Sequence, residues 1–136
     1  MSEPSDGAPA RSPFEYAIVR VVPRVERGEA FNGGIVLMSR ALRFLGARAE
    51  LDEQVLATLA PDCDPEIVRD HLELVVRIAN GDPTAGPIAV LAAPERFHWL
   101  VSPSSTIIAP SPIHTGLTAD PAATLDHLFR TLVRRS

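Results

Sequence analysis

Two of the three Asp-Pro pairs constrain this chain more than any other feature of it. Asp64-Pro65 opens "DPEIVRDHLELVVRIANG" and Asp120-Pro121 opens "DPAATLDHLFRTLV". At each, the carboxylate suits the free amides of a first helical turn, and the proline sits where no amide hydrogen is needed. Behind Pro65, the residues Ile67, Val68, His71, Leu72, Val75, Ile78 and Ala79 recur on one face, and Gly81 can adopt the left-handed conformation that ends a helix. The spacing predicts a helix over Pro65–Asn80. Behind Pro121, Ala122, Leu125, Leu128, Phe129, Leu132 and Val133 form one apolar face, and Arg134 and Arg135 lie where positive charge complements the helix dipole. Leu51, Val55, Leu56 and Leu59 predict a shorter helix ahead of both.

Ahead of these helices the period is 2 rather than 3.6. In "FEYAIVRVV" Phe14, Tyr16, Ile18, Arg20 and Val22 share one side of a strand, and Glu15, Ala17, Val19 and Val21 share the other. A polar connection, "PRVERGEAFNGG", leads to two further strands in "IVLM" and "LRFLGAR", joined around Ser39 and Arg40. "GDPTAGP" reads as a loop, "IAVLAA" is too short to assign, and Pro94 to Arg96 fit a single helical turn. Phe97, Trp99 and Val101 alternate with His98 and Leu100, and "SPSS" separates them from "TIIA". The expected element there is a hairpin with Trp99 in the core.

Strands, two helices, strands and a last helix favour an α+β domain over alternating βαβ units. The expectation is a mostly antiparallel sheet of about five strands with two to three helices packed on one face. With 136 residues, 46% of them hydrophobic, one domain is expected. It should span residues 13–136 behind a disordered leader, 1–12, rich in Ser, Pro, Gly and Ala. A net charge of −4 supplies no basic field for nucleic acid or an anionic membrane. All 13 cationic side chains are arginine, which with the abundant alanine reflects a GC-rich coding sequence, so arginine count carries no functional weight. No apolar run reaches the roughly 18 residues of a membrane span, no signal-peptide order precedes Ser12, and Cys63 has no second cysteine to pair with. A soluble, cytoplasmic, bacterial-type protein is expected.

The recognised enzyme signatures are missing from the sequence: there is no Gly-rich phosphate loop, no His-Glu-x-x-His and no nucleophile elbow. Asp62, Cys63 and Asp64 lack metal-ligand spacing and read as a helix start. Neither a metal nor a cofactor is called for. "FNGGI" has a structural reading, a close backbone approach, and a functional one in which Asn32 faces a ligand. Arg20, on the face of Phe14, Tyr16 and Ile18, needs solvent, a carboxylate or a ligand, with Glu26 and Glu29 as candidate acids. His114 stands before Thr115 and Gly116 in what reads as a loop between strand and helix, suited to loop packing, to anion binding or to acid-base work. His71, His98 and His127 fall on regular patterns and read as packing or surface residues.

The blocks "YAIVRVVPRVERGEAFNGGIVL", "GPIAVLAAPERFHWL", "STIIAPSPIHTGL" and "DPAATLDHLF" together resemble a bacterial family of domains of unknown function, family 3037. The resemblance implies a cluster at Arg20, Arg24, Glu29 and Asn32, and further site elements at Ser105, Thr106, His114, Thr115 and Gly116. It also implies a protein partner, since some relatives are encoded beside proteins resembling HipA-type kinases. Ser104 and Ala109 stand where relatives often carry Arg and Gln. Two functions follow as expectations: an accessory or binding protein acting with such a kinase, or an enzyme or binding protein for an anionic, nucleotide-like or phosphorylated ligand. In the second, Arg20 and Asn32 bind and His114 is the acid or base. A homodimer through an uncovered sheet face or edge is a further expectation.

Overall fold

The computed structural model describes residues 10–102 and 107–134. Most of the expected leader therefore falls outside the described residues, as do Ser105 and Thr106. The strands are β1 (Ser12–Val21), β2 (Phe31–Ser39), β3 (Phe44–Ala49), β4 (Ile108–Pro110) and β5 (His114–Thr118); the helices are α1 (Glu53–Leu59), α2 (Pro65–Ala79), α3 (Ala93–Leu100) and α4 (Pro121–Leu132). The sheet runs β3-β2-β1-β4, β5 also pairs with β1, and every pairing is antiparallel. The class is α+β, with one helix more than expected.

The extra layer follows from β2. Ile35, Val36, Leu37 and Met38 are 0, 1, 0 and 3% exposed, so both faces of this central strand need cover. Val36 and Met38 join Val19, Val21, Leu56, Val68, Leu72, Ile78, Phe97 and Leu100 in a core with α1, α2 and α3. Ile35 and Leu37 join Phe14, Leu125, Phe129 and Val133 in a second core under α4. Three helices thus share one face, and α4 alone covers the other.

Both Asp-Pro starts form as the sequence predicts. Asp64 Oδ1 accepts from the Glu66 amide at 2.9 Å and Asp120 Oδ1 from the Ala123 amide at 3.1 Å. Each such cap contributes on the order of 1 kcal/mol.

The run Phe97–Val101 is not a strand. It is the body of α3, with Pro94 in the first turn and Phe97 and Leu100, three residues apart, buried. The same spacing leaves Trp99 off the buried stripe and 47% exposed, so it is not a core residue. Alternation over five residues cannot separate a strand from a helix when the helical neighbours three apart are also apolar.

"FNGG" holds a β-bulge. Val19 faces Gly34 but Arg20 faces Asn32, so Gly33 is an extra residue on β2. The bulge inverts the side-chain parity beyond it. Phe31 consequently joins the core with Val36 and Met38, whereas Asn32 turns to α4 and donates to the Leu132 carbonyl at 2.9 Å. A Cβ on Gly33 would stand 2.8 Å from a Val21 methyl, and one on Gly34 2.9 Å from the Arg48 carbonyl oxygen. The close-approach reading of the two glycines is the one their surroundings explain.

Candidate functional site

β4 and β5 form one interrupted edge strand along β1. Val19 faces Pro110 and Tyr16 faces His114, which leaves one extra residue on the edge side, within the pair Pro112 and Ile113. Proline donates nothing to a ladder. Ser111 restores the link: its amide donates to the Ile18 carbonyl at 2.8 Å, and its hydroxyl accepts from the Ile18 amide at 2.8 Å. His114, Thr115 and Gly116 therefore lie on a strand rather than in a loop, because the Ser111 link lets β1 pair again beyond Pro112.

Strand geometry decides what these residues share. His114 faces Tyr16 on the α4 side of the sheet and stacks on it, with ring centroids 5.1 Å apart at 27°. Thr115, the next residue, projects to the opposite side. A Cβ on Gly116 would meet the Phe14 ring at 2.7 Å, so this glycine makes room for an aromatic side chain. Asp120 caps α4 directly after β5.

Arg20 and Asn32 are register partners across β1 and β2 on that same side. Arg20 is exposed and has no ion-pair partner among the described residues. Of its candidate acids, Glu29 pairs with Arg27 at 3.3 Å. Arg24 pairs instead with Asp62 at 3.2 Å, in the turn between α1 and α2. His114 lies four residues along β1 from Arg20, roughly 13 Å away at strand rise. The sheet thus brings Arg20 and Asn32 together, sets His114 on the same face at a distance, and sends Arg24, Glu29 and Thr115 elsewhere.

On the other face, α2, α3 and β4 line a half-open cavity of about 360 Å³. Its walls are chiefly Val19, Leu74, Val75, Ile78, Leu100 and Ile108, with His71, Trp99 and Ser102 as its groups of mixed character. Sequence reasoning placed none of these three at a site. The available signal was that Trp99 falls off the stripe of Phe97 and Leu100 once the segment is taken as helical.

The profile of DUF3037, described as a protein of unknown function, matches residues 16–133. The chain belongs to the DUF3037 family. The match runs from Tyr16 on β1 to Val133 at the end of α4, so the DUF3037 region takes in both helical layers and the whole interrupted edge. No curated protein and no solved structure matches this DUF3037 chain. Among its described residues no helix is long and apolar enough to cross a membrane, and no cluster of His, Cys, Asp and Glu suits a metal.

Proposed function

We propose that this protein is an accessory protein that receives an extended segment of a partner polypeptide along β5. The observation that carries the reading is an edge strand with large apolar side chains in water. Ile113 is 45% and Leu117 62% exposed beside a strand that pairs on one side with β1. Native edges are ordinarily blunted by proline, charge or a bulge. The β4 half of this edge has Pro110 and Pro112, whereas His114–Thr118 has neither proline nor a lysine or arginine. Five residues offer roughly 17 Å of ladder for strand addition. The family resemblance supplies the partner class, a kinase resembling HipA.

The test is co-expression with such a kinase from the same genome, followed by affinity measurement on the purified pair. Leu117→Lys and Ile113→Lys, both at exposed positions, are expected to weaken the complex at least tenfold. An unchanged affinity removes β5 as the docking edge, and failure of the wild-type pair to associate removes the accessory role with this kinase class.

The exposed Arg20 guanidinium beside Asn32 favours a second reading, in which this end of the sheet binds an anionic nucleotide-like or phosphorylated ligand and His114 supplies acid-base chemistry. A rise in melting temperature with ATP or a sugar phosphate that disappears in Arg20→Ala supports it. An equal rise in both proteins rejects it.

A further inference from the structure

We infer that the cavity between α2, α3 and β4 binds a small, uncharged, mostly apolar molecule that carries one hydroxyl group, of the alkylphenol class. At about 360 Å³ it lies at the lower end of the range that holds small ligands, on the order of 300–1,000 Å³. Among the described residues its walls are aliphatic apart from Trp99, His71 and Ser102, and no arginine lines them. A carboxylate would lose part of its hydration there with no guanidinium among the described residues to replace it, which favours a neutral ligand.

The two smaller polar groups decide which neutral ligand fits. His71 Nδ1 lies 2.8 Å from the Ile67 carbonyl oxygen, which can only accept, so Nδ1 carries the hydrogen and Nε2 of the neutral ring keeps its lone pair. The Ser102 hydroxyl donates to the His98 carbonyl at 2.6 Å, which leaves its oxygen as an acceptor. With the proton of each group committed to the backbone, both offer lone pairs, and a ligand that donates a hydrogen bond is the one that matches them. Trp99 lines the same cavity while 47% exposed, so an aromatic ligand would also take indole surface out of water.

The experiment uses 4-ethylphenol, and 4-ethylanisole as the same skeleton without the donor. Binding is followed by calorimetry and by the fluorescence of Trp99, the chain's single tryptophan. The phenol should bind saturably at one site, shift the Trp99 emission, and exceed the anisole by about two- to tenfold, the worth of one net hydrogen bond. His71→Phe combined with Ser102→Ala keeps an aromatic ring and removes both acceptors, and should bring the phenol down to the anisole. Leu74→Trp, which fills the cavity from a partly exposed position, should abolish both. The inference is overturned by no saturable binding of either compound to the wild-type protein, by a phenol preference that survives the loss of both His71 and Ser102 acceptors, or by 4-ethylbenzoate binding more tightly than the phenol.

Discussion

The hydroxyl of Ser111 accepts the amide hydrogen of Ile18 at 2.8 Å, and through that bond the sheet's edge passes the two prolines beside it. Ser111 is 4% exposed and also donates to the Pro112 carbonyl at 2.8 Å. Ser111→Ala leaves the Ile18 amide without its partner in a part-buried place, which costs about 1–3 kcal/mol. Urea unfolding should show that loss, and hydrogen exchange should show it concentrated in β4 and β5. A loss below about 0.5 kcal/mol would mean that water replaces the hydroxyl.

Gly34 makes the second prediction. Its missing side chain lets β3 approach, and a Cβ there would stand 2.9 Å from the Arg48 carbonyl oxygen and 3.2 Å from the Ala49 Cβ. A backbone oxygen in a ladder cannot turn aside as a side chain can. Gly34→Ala should therefore destabilise by about 1–3 kcal/mol, as overpacking does. A melting temperature equal to that of the wild type would show that the β2–β3 pair opens without cost.

A pH dependence follows from Asp82, which caps the short 3-10 turn Pro83–Ala85. Its carboxyl is held below the ordinary value of 3.8, first by the Thr84 hydroxyl, then by the Thr84 amide and the Arg77 guanidinium. A folded-state value below the unfolded one adds stability that is present above the unfolded value and fades as pH falls through the folded value. The urea midpoints of wild type and Asp82→Asn should differ most near pH 6 and converge below about pH 3.8. A constant gap at every pH would assign the effect to shape rather than charge.

The helices that announce themselves by chemistry at a single position were legible in the sequence. Asp64-Pro65 and Asp120-Pro121 carry cap and first turn together, and both helices start there. The alternation in Phe14–Val21 likewise gave both faces of β1. Two elements were not legible, for different reasons. In α3 the apolar residues are so dense that periods 2 and 3.6 both fit, and tertiary burial of Phe97 and Leu100 decides between them. In β5 the prolines at 110 and 112 argue for a loop, and the bond from Ile18 to Ser111, 93 residues away in sequence, lies beyond local pattern.

For the candidate site, the pairing of Arg20 with Asn32 was suggested by residue type but produced by the extra residue at Gly33. Without that bulge, Asn32 would project toward α2 and its bond to Leu132 would be lost. His71 gave no sign in the sequence, because the acceptor it presents depends on the tautomer that the Ile67 carbonyl selects.

The most direct test of the docking role is hydrogen exchange across His114–Thr118 in the free protein and in the presence of a HipA-type kinase from the same genome. Strand addition predicts that those β5 amides which exchange rapidly in the free protein become protected by at least tenfold in the complex, while the amides of β3 at the opposite edge keep their rates. Unchanged exchange in β5 within a complex that forms, or protection of β3 instead, would contradict it.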